Sequence, residues 1–517
     1  MQTNLDAMSI SPGQVPASKG RLLVVSNRGP VEYTVDDDGD LQKRSAGGGL
    51  ATALTCVAKS KPVTWIASAG TPADRLAASA GPTNLGEDRR LRLVAPSPEA
   101  YSLFYASFCN PLLWFLQHSL WDQLQRPHPE AEAQLAWERG YLPVNQAFGE
   151  AVVEELRRNG GAGQVMLHDY HLYLAPRFIR QRVPGAVLQH FVHIPWPEPE
   201  RWSVLPRAIV EAICQGLLAN DSVVFQTQES AENFVRTCEA FLPDTRLEGD
   251  GGTILYLGRR TRVWLNPVSV DVTDLRARLW SEEARAYRDK LAAEADEHTI
   301  VRVDRLDPTK NVLGGFQAFD LLLERHPEWE GRVRFLAFLV PSRTAIPEYL
   351  AYREEVLSLV EGINARRGRP GWTPITVYHE HNRLQALAAM SLYDVLLVNP
   401  LRDGMNLVSK EGPVVNGRDG VLVLSVTTGS YVELSDGALA VQPEDIEGTA
   451  EALHQALSLP ETERRERARL LRQAVLRHDL NHWLRLLLDD LNAIERSRSL
   501  AREAPVSSDG RAASRAV

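Results

Sequence analysis

What this 517-residue chain lacks narrows its class before any motif is read. No apolar run is long enough to cross a bilayer, so no membrane span is expected. Cysteine is scarce: Cys56, Cys109, Cys214 and Cys238 are the four, and no CxxC spacing joins any pair. That pattern excludes a disulfide scaffold and a cysteine zinc site. It leaves reduced core thiols of a cytoplasmic protein as the expectation. An excess of positive charge is missing too. A formal net charge of −9 argues against nucleic acid as the main ligand. Residues 1–20 carry neither a signal nor a transit pattern, and their Ser, Pro and Gly read as a disordered leader. Lysine is the rarest charged type, seven of the 57 basic residues, so the position of each one is informative.

What is present is an ordinary globular composition, 44% hydrophobic and 24% charged, enough for two or more domains. The stretch from Val398 to Glu411 organises the rest. Tyr393–Val398 is a continuous apolar run and reads as a buried parallel strand. Asn399-Pro400 ends it, Asp403-Gly404 forms a tight turn, and Asn406 is placed to cap a following helix. Strand, polar turn and helix N-terminus together favour a bound anion. Asp403 and Glu411 are carboxylates able to hold sugar or ribose hydroxyls. A second apolar run, His298–Val303, leads into Asp304-Arg-Leu-Asp-Pro-Thr-Lys-Asn311. It sets Arg305 and Lys310 just past a strand end, where open α/β sheets bind ligands. Two of the seven lysines, Lys310 and Lys410, fall in these motifs, and a compact ammonium suits phosphate oxygens.

The remaining chain alternates in the same way. Strands are expected at Arg21–Asn27, Pro62–Ala67, Gln164–Leu172, Ala186–Pro197, Ser222–Gln226 and Thr261–Pro267. Further strands are expected near Ile300, Arg334, Ile375, Val395 and Leu422. Asp36–Asp40 reads as a hairpin or loop, and the glycines of Ser45–Leu50, including Gly48 and Gly49, open a helix. Helices are expected at Leu313–Arg325 and Tyr349–Arg366. Leu480–Ile494 is amphipathic, with Trp483, Leu486, Leu487 and Leu491 on one side. His168, Asp169 and His171 have no third His or Cys at ligand spacing, so no metal is expected there. His193 ends a strand fixed by Pro195 and Pro197. Two successive α/β halves imply two doubly wound sheets with the ligand in the cleft between them.

These residues resemble, in this order, the trehalose-6-phosphate synthase family of retaining glycosyltransferases. The resemblance rests on Val25-Ser-Asn-Arg28, Ser45-Ala-Gly-Gly, His168-Asp-Tyr-His-Leu172, His193-Ile-Pro, Asp304-Arg-Leu-Asp307, Asp403-Gly-Met-Asn-Leu407 and His478-Asp-Leu-Asn-His-Trp483. It implies a GT-B fold: two Rossmann-like domains facing each other across a cleft, with a C-terminal helix crossing back to the first. The divisions it implies are a leader over 1–20, an acceptor domain over 21–266 and a nucleotide-sugar domain over 267–477. A crossover helix over 478–496 and a disordered tail over 497–517 follow.

The resemblance also implies roles. Arg305 and Lys310 grip the donor diphosphate, with the Gly48-Gly49 loop and the donor segment Asp403, Gly404, Met405, Asn406, Leu407 and Val408 around it. Glu411 holds the ribose, and Asp403 and His193 hold the glucose. Arg28, Tyr105, Trp114 and Arg343 bind the phosphate of glucose 6-phosphate, and Asp169 orients the acceptor. Arg305, Lys310, Asp169 and His193 are the catalytic set. The implied partners are GDP-glucose or UDP-glucose and glucose 6-phosphate, with no metal, no cofactor, and self-association left open. Pro308-Thr-Lys-Asn311 and Gly412-Pro-Val-Val-Asn416 depart from the family's common wording near the nucleotide, which bears on the base. A transferase using another phosphorylated acceptor and a non-catalytic sugar-phosphate sensor are the alternatives.

Overall fold

The computed structural model describes residues 20–45, 61–86, 88–121, 130–249, 252–293, 296–380 and 382–503. Gly48, Gly49 and Cys56 lie outside them, as does almost all of the expected leader.

Two sheets divide the described chain. In the first, ten strands run in the order Arg246–Glu248, Thr253–Tyr256, Arg259–Leu265, Ser222–Phe225, Val187–Phe191, Gln164–His168, Leu22–Val25, Val63–Ser68, Arg89–Val94 and Thr83–Gly86. Every pairing from Arg259–Leu265 to Arg89–Val94 is parallel, and the strands beyond pair antiparallel. The central parallel strands are covered on both faces: Leu22–Val25 and Val63–Ser68 are buried throughout, whereas Arg89–Val94 and Arg259–Leu265 nearer the edges carry arginines. The second sheet has six parallel strands, ordered Ile375–Tyr378, Val333–Val340, His298–Arg305, Val395–Val398, Val421–Ser425 and Leu439–Val441. The Asp36–Asp40 segment is the turn of a hairpin between Val31–Val35 and Leu41–Ser45.

Strand order fixes where a ligand can sit. The second sheet winds outward in both directions from the pair His298–Arg305 and Val395–Val398. The first winds outward from Leu22–Val25 and Gln164–His168. At each reversal the helices leave to opposite faces, and a crevice opens beyond the carboxyl ends of the two strands. The strand ends and loops at these two reversals are the ones that carry Arg28, Asp169, Arg305 and Asp403.

After Leu265 the chain passes through Asn266-Pro267, and Val270 already belongs to the core of the second half. It returns at the end. The last helix, Leu480–Glu503, packs Leu480, Trp483, Leu487 and Leu491 against Leu22, Val24 and Phe191 of the first sheet. Asn266 Nδ2 donates to the Trp483 carbonyl at 2.9 Å, and Gln189 Nε2 donates to Asp490 at 2.7 Å.

Two expectations change. The helix does not stop at Arg496 but continues to Glu503, and Arg498 donates to the Gly185 carbonyl at 3.0 Å and to that of Ala186 at 2.6 Å. That anchorage on the first sheet holds a segment whose Ser, Arg and Ala composition reads as disordered. Arg305 is the last residue of its strand rather than a loop residue, because its pairing with Val333–Val340 runs as far as Arg305 opposite Val340. The aromatic stretch from Tyr101 forms a wide π-helix over Leu103–Leu113 with Pro111 inside it. Proline removes one helical donor, and the wider turn absorbs the defect.

Trp483 is 1% exposed and meets Phe191 edge-on at 5.4 Å. Replacing it with alanine should cost about 3–5 kcal/mol, read as a shift of the urea midpoint at constant slope.

Candidate active site

The second half provides one wall of the site. Arg302, wholly buried in its strand, donates to Asp304 Oδ2 at 2.9 Å and to Asn399 Oδ1 at 2.8 Å. It also donates to the carbonyls of Lys310 and Asn311. One guanidinium thereby ties the loops of the two central strands together. Lys310 forms an ion pair with Asp403, and Asn406 Nδ2 donates to the same carboxylate at 3.2 Å. Burial would raise the Asp403 carboxyl, but Lys310, His118 and Arg305 outweigh it and hold it below the usual range. The helix after the turn is Val408–Val415, a residue or two later than expected. Asn406 still caps it, accepting from the Ser409 N–H at 3.2 Å.

The first half provides the other wall. Arg28 follows the strand Leu22–Val25 and is exposed. Tyr105 comes from the π-helix and stacks on Tyr101 with ring centroids 5.8 Å apart and planes 9° apart. Burial would raise its hydroxyl, but Arg343, Arg28 and Arg305 together bring it below the ordinary tyrosine value. Trp114 is buried, with the Arg343 guanidinium 4.0 Å and that of Arg305 5.3 Å from its ring centre. Asp169 sits at φ 73° and ψ 171°, a conformation nearly confined to glycine. Its N–H donates to the Phe191 carbonyl at 2.8 Å, and its Oδ1 accepts from the His193 N–H at 3.3 Å. Burial pushes its carboxyl up to about 7. Burial also holds His168, His171, His190 and His193 neutral, the last two down to about 3.

Between the walls lies a cavity of about 710 Å³. Arg28, Tyr105, Trp114 and Asp169 line it from the first half; Arg305, Lys310, Arg343, Asn406, Leu407, Val408 and Glu411 line it from the second. Four expected residues are not in its wall. Gly404 and Met405 form the junction of the halves instead. A Cβ at Gly404 would collide with the His193 carbonyl, and Met405 packs in the first-half core. Asp403 is turned onto Lys310, and His193 Nε2 faces His168 Nδ1 at 3.0 Å, so His168 takes the place in the wall.

The family model of glycosyltransferase family 20 matches residues 20–493. The chain belongs to glycosyltransferase family 20. The bifunctional trehalose-6-phosphate synthase/phosphatase of Thermoproteus tenax is 36% identical over 488 residues. That match takes in 90% of this chain, and the chain spans 62% of that relative's length. Among solved structures, the trehalose-6-phosphate synthase from E. coli bound with UDP-2-fluoro glucose matches with a TM-score of 0.79. It is 27% identical, over 91% of this chain and 98% of that one. The Burkholderia xenovorans enzyme in complex with glucose-6-phosphate matches with a TM-score of 0.78 and 28% identity, over 92% of this chain and 100% of that one. The fold is that GT-B fold.

Lys410 is a correction. It is buried, donates to the Val268 carbonyl at 2.9 Å and pairs with Glu433, so it braces the junction and does not reach the cavity. Burial lowers its pKa and Glu433 offsets part of that. Arg302, His118 and Asn399 were missed. An arginine inside an apolar strand is a legible signal, since such a charge needs a built partner; His118 and Asn399 gave none. Away from the cavity, His326, Glu328 and His454 are close enough to share an ion. Their two imidazoles stack at 3.6 Å and 9°, however, and parallel rings cannot both present an edge to one metal.

Lys410→Ala removes the buried partner of Glu433, leaving it only His478 Nδ1 at 3.5 Å, and should destabilise the protein by about 3 kcal/mol. Calorimetric unfolding checks this; a variant as stable as wild type contradicts the bracing role.

Proposed function

We propose that this protein transfers glucose, with retention, from a nucleoside diphosphate glucose to glucose 6-phosphate, forming α,α-trehalose 6-phosphate and a nucleoside diphosphate. The observation that carries the reading is the distribution of cations around one cavity: Arg305 and Lys310 beside a helix N-terminus, and Arg28 across from them, with Arg343 between. A substrate pair with a phosphate group on each side matches that distribution. UDP-glucose is the first donor to test, since the E. coli relative is bound with UDP-2-fluoro glucose, and GDP-glucose is the second. The acceptor follows the Burkholderia xenovorans complex with glucose-6-phosphate.

In this reading Arg305 and Lys310 hold the donor diphosphate, assisted by the Leu407 and Val408 amides, and Glu411 takes the ribose. Asp403 is released from Lys310 to the glucose hydroxyls as the diphosphate takes over the ammonium. Arg28, Tyr105, Trp114 and Arg343 form the acceptor phosphate subsite, and Asp169 accepts from an acceptor hydroxyl. The glucose C1–O bond to the diphosphate breaks, and C1 bonds to the acceptor oxygen from the same face. The acceptor's proton passes to the departing phosphate oxygen, so no enzymatic carboxylate acts as nucleophile. Arg305 and Lys310 stabilise the charge as it develops, in the role that a metal fills elsewhere.

The direct test offers UDP-, GDP- and ADP-glucose with glucose 6-phosphate and follows nucleoside diphosphate release. One donor should turn over, and free glucose should be poorer by about a hundredfold or more, because it forgoes the charge-assisted contacts that Arg28 and Arg343 offer a phosphate. Arg28→Ala should weaken the acceptor and spare the donor. Equal rates with free glucose would falsify the phosphate subsite.

Asp169 adds a pH dependence. The folded protein keeps its proton up to about pH 7, while an exposed aspartate releases it at about pH 4. Protonation therefore favours folding, and the stability it lends is lost as pH rises between those values. Accepting a sugar hydroxyl needs the carboxylate. Acceptor kcat/KM should fall on acidification through about pH 7, before the phosphate's own ionisation at about pH 6 takes effect. A profile that follows the phosphate alone contradicts the assignment.

A further inference from the structure

The motif Asp304-Arg-Leu-Asp307 supplies Arg305 to the cavity, but its last residue has no part in the reaction read above. Asp307 is wholly buried and absent from the cavity wall. Its Oδ1 accepts from the Thr309 N–H at 3.1 Å, from Thr309 Oγ1 at 3.0 Å and from Trp114 Nε1 at 3.4 Å. Its Oδ2 accepts from Arg343 Nη1 at 3.1 Å and faces Arg305 Nη2 at 3.6 Å. The turn donors on Oδ1 fix the rotation of the carboxylate, so the direction of Oδ2 is set before either arginine meets it. One carboxylate thus holds an indole from the first half and two guanidiniums from the second.

We propose that Asp307 is a positioning residue that sets the spacing between Arg305, on the donor phosphate, and Arg343, on the acceptor phosphate. It also keeps the two from closing together on a single phosphate. The inference rests on the reaction read above. Two guanidiniums beside one indole, with their charge uncompensated, form a clamp for a single dianion. Such a clamp tightens ground-state binding without aligning the substrates, and binding of that kind does not raise the rate. Asp307 and Tyr349 take Nη1 of Arg343, while Nη2 donates to the Tyr170 hydroxyl in the cavity wall at 3.2 Å, the edge that a phosphate would take over. Arg305, which lies against Asp307, keeps its outer edge for the other phosphate. Burial alone would protonate the carboxyl, but Arg343, Arg305 and Lys310 outweigh burial and keep it charged.

Asp307→Asn keeps the shape and removes the charge. It should lower kcat by about tenfold or more, while the KM for glucose 6-phosphate and the Kd for inorganic phosphate fall by about threefold. A merely structural role moves both constants upward, so a rise in KM and Kd, or an unchanged kcat, overturns the proposal. If Asp307→Asn does not accumulate as folded protein, Asp307→Glu keeps the charge and shifts it by one methylene. Its kcat should fall with the glucose 6-phosphate KM held within about twofold. Wild-type kcat, or a KM rising in step with the loss, overturns the proposal there. Should the wild-type protein release no nucleoside diphosphate from any donor, the reaction reading fails. Phosphate calorimetry on wild type and Asp307→Asn still decides the role of Asp307.

Discussion

A buried cation has to be compensated, and in this protein the way each one is compensated separates structure from chemistry. Arg302, Lys310, Arg343 and Lys410 are all withdrawn from solvent in the second half, and each meets a carboxylate: Asp304, Asp403, Asp307 and Glu433. Transfer of a charge out of water is costly unless such partners are built in. Arg302 and Lys410 use their donors on protein groups and face no cavity, so they brace. Lys310, paired with Asp403, and Arg343, which donates to Asp307, Tyr349 and Tyr170, also line the cavity. A phosphate entering there meets cations already oriented, and little reorganisation remains for the reaction itself.

The fold explains why those cations gather where they do. Each sheet reverses its winding direction once, and the loops at both reversals point into the same cleft. Local strain collects in those loops and in one beside them. Asp169 has φ 73°, Asn406 φ 66° and Arg343 φ 50°, and none of the three is glycine. A backbone holds such angles only where its surroundings over-determine them. At Asp169 the surroundings are the Phe191 carbonyl and the His193 N–H; at Asn406, the cap of the following helix; at Arg343, Asp307, Tyr349 and Tyr170. In each case the residue's own polar contacts hold the strained position.

The sequence made these strand ends legible because parallel strands buried on both faces are continuous apolar runs, and the polar residue that stops the run marks the crevice. Arg305 was readable on that basis, and so was the amphipathic face of the last helix; the roles of Arg28 and Asp169 came only with the family resemblance. Tertiary packing was not readable. Lys410 has the same local setting as Lys310, a polar turn after an apolar run, and only the approach of Glu433 and Val268 makes it structural. Gly404 looked like a ligand-binding turn, yet its missing side chain serves the close passage of the His193 carbonyl. The antiparallel edge strands gave short and irregular patterns. Their assignment comes from the sheet they join, not from their own periodicity. The helix end at Glu503 was hidden for a similar reason: Arg498 is anchored by carbonyls more than three hundred residues earlier.

The two walls differ in what holds them. Within the second half, Arg302 joins the loops after its two central strands, and nothing from the first half takes part. Within the first, the Tyr101–Tyr105 stack, the Asp169 backbone bonds and the buried histidines are likewise self-contained. Across the cleft, Ile346, Tyr349 and Met405 pack into the first-half core and Arg402 pairs with Glu229. Beside them lie two arginines against Trp114, Trp114 Nε1 on Asp307, Arg343 on Tyr170, and Gly404 against His193. Opening the cleft therefore exposes that apolar packing and breaks the ion-pair, cation–π and carboxylate contacts, while the Arg302 network and the Asp169 backbone bonds stay within their own halves. Trp114, Arg305 and Arg343 both bridge the halves and line the cavity, so seating one half on the other also completes the cation pattern of the cavity wall.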